Sequence, residues 1–311
     1  MDTMSPQTLD SLTAQFGRPG QLAFSASPFG LIAAEITSVL CRAQVYLQGG
    51  HVTAYQPTGQ APLLWTSSVS LYQPGKAIRG GIPVCWPWFG NHPTDPAKPA
   101  HGFARTALWQ LVAVDHHANG EIALTLGLDD SPQTRALWPF SFALRLTVTF
   151  SGSLYLSLTM ENRDTSPLSI SCALHSYLRV ADWQTCRIYG LDGVDYLDKV
   201  EGNTRKTQSG ILSLEQETDR IYLLPDAACR IESSDINQDV FVRQQGSTAT
   251  VIWNPGPWKA AAMADMSGDE YREMVCVEAA IAPQAPVVLQ PGEIHVLATE
   301  IVHGLGNDFE T

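Results

Sequence analysis

Apolar and polar residues alternate with a period of two through much of this sequence. The segment 141–150, SFALRLTVTF, alternates in this way, and so does 153–161, SLYLSLTME, after a Ser151-Gly152 turn. Successive side chains of a β-strand point to opposite faces, so two such runs joined by a short turn predict a hairpin. EIALTLGL at 121–128 alternates likewise, and a Pro-Gly turn separates strand-like runs in VVLQPGEIHVLATEIV at 287–302. The chain is therefore predicted to be all-β.

Helical patterning is confined to short segments. One helix is expected in SPQTLDSLTAQF, where Ser5 can cap it and Pro6 suits the first helical position. SGDEYREM at 267–274 predicts a short helical turn. Evenly spaced strands without alternating helices indicate a large antiparallel sandwich. Since no repeat, linker or charge block divides the chain, we predict an N-terminal extension over residues 1–19 and a single β domain over 20–311.

Composition excludes several classes of function. The 311 residues are 44% apolar and carry a formal net charge of −12, which argues against nucleic acid or an anionic membrane as a partner. We see no signal peptide and no apolar run near the roughly 20 residues that span a bilayer. The six cysteines form no C-x-x-C pair, which fits a reducing cytoplasm and argues against a structural metal site.

The stretch 77–109, AIRGGIPVCWPWFGNHPTDPAKPAHGFARTALW, combines five prolines with three tryptophans. Repeated prolines exclude a regular helix, and disordered segments lack this density of large rings. We therefore predict a long loop held in one shape, with Arg79 and Arg105 near its two ends. The aromatic residues Trp86, Trp88 and Phe89 suit either stacking on a sugar ring or packing in the core.

Strand parity selects two candidate catalytic residues. In LSISCALHSYLRV, His175 points away from the apolar face of the strand, and in EMVCVEAAI, Glu278 does the same. A polar, concave sheet face is a common place for a ligand site. The alternative is that both are ordinary residues of a solvent-exposed face, which parity alone does not exclude.

Six segments of the chain occur in the order typical of one family. They are RGGIPVCWPWFG, HGFAR, ALHSYLRV, DRIY, VIWNPG and MVCVEAA. On these motifs the chain resembles the D-hexose-6-phosphate mutarotases (glucose-6-phosphate 1-epimerases) of the wider aldose 1-epimerase group, over roughly residues 20 to 302. The resemblance implies a galactose-mutarotase-like antiparallel β-supersandwich with a few short helices. It also implies a monomer without a metal or organic cofactor, acting on a small sugar phosphate.

The same resemblance implies the chemistry and the residue roles. Mutarotation needs one base and one acid on opposite sides of the anomeric centre, and these roles fall on Glu278 and His175. Arg79 and Arg105 match the arginines that bind the 6-phosphate, a task for forked, permanently charged donors. The remaining substrate contacts are implied for His101, Asp219 and, as a weaker candidate, Gln48. The role of His51, in YLQGGHV, stays open.

Two other functions remain as alternatives. The first is an epimerase of neutral aldoses such as galactose, although paired arginines would then be uncompensated. The second is a carbohydrate-binding or sensor protein without catalytic activity on the same fold, which the presence of both His175 and Glu278 disfavours.

Overall fold

The computed structural model describes residues 7–233 and 239–304. Helices are short within this part of the chain, and none is long and apolar enough to cross a membrane. The α-helices are α1 (Leu9–Phe16), α2 (Pro132–Leu137) and α3 (Gly256–Ala261), and the 3₁₀ turns are Ala104–Thr106, Trp183–Thr185 and Glu270–Glu273. The last of these lies in the segment where the sequence predicted a helical turn.

Strands make up most of the remaining structure. In chain order they are β1 (Leu22–Ala26), β2 (Ile32–Thr37), β3 (Cys41–Tyr46), β4 (His51–Pro57), β5 (Val84–Cys85), β6 (Gln110–His116), β7 (Ile122–Asp129), β8 (Phe142–Phe150), β9 (Leu154–Asn162), β10 (Leu168–Ile170), β11 (Cys172–Leu174), β12 (Tyr177–Arg179), β13 (Arg187–Tyr189), β14 (Asp195–Asp198), β15 (Thr204–Thr207), β16 (Leu212–Ser213), β17 (Thr218–Tyr222), β18 (Ala228–Glu232), β19 (Asp239–Gln245), β20 (Ala249–Asn254), β21 (Met274–Ile281), β22 (Val287–Leu289) and β23 (Ile294–Gly304).

Two large antiparallel sheets dominate the architecture. One has nine strands in the order β16-β13-β18-β19-β23-β9-β8-β7-β6. The other has eight, in the order β15-β14-β17-β20-β21-β11-β5, with β12 also paired to β21. A four-stranded meander, β1 to β4, and the β10-β22 pair complete the strand pairings of the described residues. The predicted antiparallel all-β class is confirmed.

Hairpins follow the alternation read from the sequence. Strands β8 and β9 pair across the Ser151-Gly152 turn, with Phe150 opposite Leu154. The Pro-Gly turn near the C-terminus behaves differently, because β22 pairs with β10 whereas β23 pairs with β9 and β19. The turn therefore connects two sheets instead of closing a hairpin.

The main apolar core joins the two large sheets. Leu146 and Leu156 contribute from the nine-stranded sheet, and Val277 and Ala279 contribute from β21 of the eight-stranded sheet. The opposite face of β21 is buried as well, and Ala280 there joins a second, smaller apolar cluster. Both faces of β21 are thus buried, and the face of this sheet that points away from the main core is called the floor below.

The N-terminal helix is fixed to this body. Thr8 caps α1, and Leu12 is buried in the main core. The Gln7 side chain forms two hydrogen bonds with the backbone of Leu111 in β6, the edge strand of the nine-stranded sheet. Ser5 and Pro6, for which the sequence predicted the cap and the first helical position, lie outside the described residues. The division into an extension over 1–19 and one catalytic domain over 20–311 stays a prediction.

Candidate functional site

His175 and Glu278 face each other across neighbouring strands. Their register is set on either side by the pairs Leu174–Ala279 and Tyr177–Cys276, which place His175 directly opposite Glu278 on one face of the sheet. The imidazole Nε2 lies 3.3 Å from the carboxylate Oε1. That the two groups act from opposite sides of the anomeric centre, as the resemblance implies, stays a prediction.

This pair is enclosed by protein. Glu278 is 1% exposed and His175 is 8% exposed, so the alternative of an ordinary solvent face is wrong. The imidazole stacks on the Tyr177 ring with centroids 4.8 Å apart and meets the edge of Trp253 at 6.0 Å. Aromatic contacts of this kind hold a ring in one orientation. Neither Nδ1 of His175 nor Oε2 of Glu278 has a hydrogen-bond partner within residues 7–233 and 239–304.

Burial acts on both titratable groups. It raises the pKa of Glu278 well above 4.5, with Asp219 adding to the rise and Lys199 opposing it. It lowers the pKa of His175 well below 6.5, and the charges of Arg79 and Arg105 act in the same direction. Close contact favours the carboxylate–imidazolium ion pair, while burial favours the neutral acid and neutral imidazole. These two forms contain the same number of protons and differ only by a shift of one proton between the partners.

His101 contributes a second imidazole beside His175, and the region bordered by His101, His175 and Glu278 is called the cleft below. Its ring lies 5.0 Å from Phe89 and 5.9 Å from His175 between centroids. The Gly90 N–H donates to Nδ1 of His101 at 3.4 Å, which leaves the proton of the neutral ring on Nε2. Burial, followed by the charges of Arg105, Lys199 and Arg79, lowers the pKa of His101 to about 3. His101 is therefore a neutral hydrogen-bond donor at ordinary pH.

Arg79 lies at the cleft with its charge already balanced. Its Nη2 is 3.0 Å from Oδ2 of Asp265, to which Nε also donates at 3.1 Å. Its Nη1 donates to the Tyr177 hydroxyl at 2.9 Å. Arg79 therefore connects the loop after α3, which carries Asp265, to the ring that supports His175. Asp265 is a carboxylate partner that the sequence analysis did not anticipate.

Arg105 is held more lightly. Its Nη2 donates to the Ala100 carbonyl at 2.8 Å, and it forms no ion pair within the described part of the chain. The charge of Arg105 lowers the pKa of both His101 and His175, as the charge of Arg79 does. A guanidinium has five N–H donors, and Arg105 thus keeps unused donors for an anion.

The glycine pair 80–81 explains how the loop reaches the cleft. Both glycines have positive φ, and a Cβ on either would collide with backbone of the neighbouring segments at Trp65–Thr66 and Val52–Thr53. His51 lies beneath this turn and donates from Nε2 to the Gly80 carbonyl at 2.7 Å. Burial lowers the pKa of His51 to about 4, which keeps it neutral. His51 therefore braces the turn that follows Arg79.

Gln48 also has a bracing role. Its amide nitrogen donates to the carbonyls of Gln73 and Lys76, and its amide oxygen accepts from the Gly75 N–H. These contacts occupy the side chain with backbone of the 73–76 loop. Substrate contact by Gln48 stays a prediction without a contact in its favour.

Asp219 and Lys199 form the remaining polar part of the floor. Asp219 lies on β17 opposite Trp253, and its Oδ2 is 3.2 Å from Nζ of Lys199. Lys199 follows β14, and its ammonium lies 6.0 Å from the Phe89 ring centroid. The sequence analysis identified Asp219 but missed Lys199. The only signal was a charged residue in a turn, a common surface feature.

The aromatic residues of the 77–109 loop divide between two environments. Trp86 and Trp88 are buried in the main core, so packing is their role. Phe89 belongs to the smaller cluster on the second face of the eight-stranded sheet and contacts His101 there. Of the three rings, Phe89 is therefore the one that borders the cleft.

A possible metal-ligand set overlaps the acid–base pair. Ligand atoms of His175, Cys276 and Glu278 all lie within 4.8 Å of one another, although the sequence predicted no metal site. Burial, followed by the nearby Glu278, raises the pKa of the Cys276 thiol well above 9.0. A metal ion bound here would have to displace the thiol proton, because metals bind the thiolate. That the site works without a metal stays a prediction.

Comparisons with known proteins identify relatives of this chain. A protein of Cenchrus ciliaris, provisionally named as a glucose-6-phosphate 1-epimerase, is 36% identical over 264 residues, 81% of this chain and 78% of its own. An Escherichia coli (strain K12) protein with the same provisional name is 35% identical over 256 residues, 82% of this chain and 85% of its own. The crystal structure of a provisionally named mutarotase from Salmonella typhimurium matches with a TM-score of 0.86 and 32% identity, covering 92% of this chain and 94% of its own.

The match to that mutarotase structure confirms the galactose-mutarotase-like fold expected from the sequence motifs. The family profile described as Aldose 1-epimerase matches residues 34–302, which is most of the chain and includes every candidate site residue. The chain belongs to the aldose 1-epimerase family.

Proposed function

We propose that this protein interconverts the α and β anomers of a hexose 6-phosphate, glucose 6-phosphate being the substrate named for its relatives. The observation that carries the proposal is the buried His175–Glu278 pair, with Nε2 and Oε1 3.3 Å apart. Anomer exchange removes a proton from O1 and adds one to O5, and both oxygens are bound to C1. An acid and a base in direct contact suit a reaction at two oxygens of one carbon.

The reaction divides into two proton transfers. Glu278 takes the proton of the O1 hydroxyl while His175 gives a proton to O5, and the C1–O5 bond breaks to form the aldehyde. Rotation about C1–C2 then presents the other face of the carbonyl. In the reverse direction His175 takes back the O5 proton, Glu278 returns its proton to O1, and the ring closes as the other anomer.

The electrostatics of the pair support this cycle. After ring opening, Glu278 is protonated and His175 is neutral, which is the form that burial favours. The raised pKa of Glu278 makes it a stronger base, and the lowered pKa of His175 makes its imidazolium a stronger acid. Both pKa shifts therefore lower the free energy of the open-chain state relative to the ring-closed state.

The cationic side of the cleft supports a phosphorylated substrate. Arg105 keeps unused donors, and Arg79, whose charge acts on the same two imidazoles, is paired with Asp265. We assign the larger part of phosphate binding to Arg105. His101 supplies a neutral N–H and Asp219 an acceptor for sugar hydroxyls, as polar side chains do in carbohydrate sites.

We also infer a cytoplasmic monomer that binds neither nucleic acid nor membrane. The six cysteines are free and buried, which suits a reducing compartment. The net charge of −12 disfavours polyanionic partners.

Saturation-transfer NMR tests the proposed activity directly. Irradiation of one anomeric proton of glucose 6-phosphate transfers saturation to the other anomer only if exchange is fast, so added protein is expected to increase the transfer. The same measurement on glucose should show a much smaller effect. Equal rates on both sugars would favour an epimerase of neutral aldoses, and no exchange on either, with binding retained, would favour a carbohydrate-binding protein.

A further inference from the structure

Lys199 lies between Asp219 of β17 and Phe89 of the 77–109 loop. Its backbone N–H donates to the Asp219 carbonyl at 2.8 Å, and its Nζ lies 3.2 Å from the Asp219 carboxylate. On the other side its ammonium lies 6.0 Å from the Phe89 ring centroid. Lys199 thus makes two contacts with Asp219 and one with Phe89.

Glu278 is surrounded by groups of several elements, and their charges compete. Asp219 on β17 lies on the same face of the sheet as Glu278, because it pairs with Trp253 and Trp253 pairs with Cys276, two residues before Glu278. From this position Asp219 disfavours the ionisation of Glu278, and Lys199, 3.2 Å from Asp219, favours it. His175 lies at 3.3 Å in the gap between β11 and β12. The other titratable neighbours are neutral at ordinary pH because burial raises the pKa of each, and they are Cys85, Tyr177 and Cys276. The charge of Lys199 thus acts on Glu278, whereas those of Arg79 and Arg105 act on His175.

We propose that Lys199 is a functional residue of the cleft, whose ammonium group balances Asp219 and so keeps Glu278 available as a proton-accepting carboxylate. Without Lys199, two carboxylates would face one buried floor, and like charges disfavour ionisation of the more buried one. The same ammonium fixes the orientation of Asp219 toward the substrate. Lys199 acts through Asp219 and Glu278, which makes it a positioning residue. This inference rests on the proposed function for its effect on rate.

Two variants and one control separate the charge of Lys199 from its packing. Lys199→Met keeps the apolar stem near Phe89 and removes the charge, and Lys199→Arg keeps the charge. Lys259→Met is the matched control, because Lys259 forms a comparable ion pair with Glu217 at 2.7 Å on an exposed surface.

We expect Lys199→Met to lower kcat on glucose 6-phosphate by about tenfold and to shift the titration of Glu278 upward by about one pH unit, the lower end of a nearby charge effect. Lys199→Arg should recover most of both, and Lys259→Met should change neither. The titration is measured by ¹³C NMR of labelled glutamate carboxyls, with Glu278→Gln to assign the resonance. Adding Asp219→Asn to Lys199→Met should return the titration toward the wild-type value, because both charges are then absent.

An unmoved Glu278 titration in Lys199→Met would overturn the inference, whether or not KM rises or Tm falls. A rise in KM alone would make Lys199 a substrate contact, and a fall in Tm alone would make it a structural ion pair. The titration needs no substrate. Absence of anomer exchange in the wild-type protein would therefore refute the proposed function, while the NMR shift would still decide the role of Lys199.

Discussion

Arg105→Ala tests whether the cationic side of the cleft binds the 6-phosphate. A charge-assisted hydrogen bond is worth about 1.5–3 kcal/mol, so the loss of Arg105 should raise KM for glucose 6-phosphate by roughly ten- to a hundredfold. The single bond from Arg105 to the Ala100 carbonyl also has a charged donor, so by the same scale its loss costs at most about 1.5–3 kcal/mol of stability. The effect on KM should therefore be confined to the phosphorylated sugar, whereas an effect on folding should appear as a lower Tm.

Arg79 provides the comparison, because its charge is shared with Asp265 at 3.0 Å. Arg79→Ala should also weaken phosphate binding, but it leaves the Asp265 carboxylate unpaired and removes a donor to Tyr177. Asp265→Asn should do the opposite and lower KM for the phosphorylated sugar several-fold, since Arg79 then keeps its full charge.

The assay is anomer exchange by saturation-transfer NMR on glucose 6-phosphate and on glucose, with Tm measured for each variant. Arg272→Ala is the control, because Arg272 forms an ion pair with Asp182 at 2.6 Å on the surface. A parallel loss on both sugars in Arg105→Ala, accompanied by a lower Tm, would refute phosphate binding. Arg105 would then be a brace for the proline-rich loop.

Three further outcomes are expected. Glu278→Gln and His175→Asn should each lower turnover by roughly 10²–10⁴-fold with an unchanged circular dichroism spectrum, the usual range for general acid–base groups, and near-normal exchange in either would remove that residue from its role. The rate should be bell-shaped in pH, because the reactive pair holds one proton in total. The acid limb, below which both groups are protonated, follows the lowered pKa of His175 and lies below 6.5. The alkaline limb, above which neither group is protonated, follows the raised pKa of Glu278 and lies well above 4.5. A single transition at 6.5 would contradict this assignment. Dialysis against a chelator should leave activity unchanged, since acid–base catalysis by Glu278 and His175 needs no metal ion; a loss restored by a divalent ion would show a metal requirement.

Much of the fold was predictable because strand periodicity is local. The alternation in 141–150 and 153–161 is complete within each segment, and the hairpin β8–β9 matches it residue by residue. Parity along single strands likewise placed His175 and Glu278 on faces away from the main core. The order of the sequence motifs then indicated the family, and the resemblance implied the roles of these two residues. None of these inferences required knowledge of which strands are neighbours.

Contacts between distant segments were not predictable in the same way. The pairing of β11 and β12 with β21 brings His175 opposite Glu278, about a hundred positions further along the chain. The pattern within one strand does not predict which residues of another strand pair with it. That register is selected by the burial of both faces of the sheet. The Pro-Gly turn between β22 and β23 is a similar case: its residues predict a turn, but sheet packing determines that the two strands diverge.

The sequence by itself therefore determined an all-β chain, and it predicted a loop held in one shape with arginines near its ends and a candidate acid–base pair. Only the tertiary structure decided that Asp265 balances Arg79, that Arg105 keeps unused donors, and that Lys199 pairs with Asp219. The physical reason is that a residue type specifies which charge a side chain carries, whereas burial and the neighbours brought by folding determine how that charge is balanced.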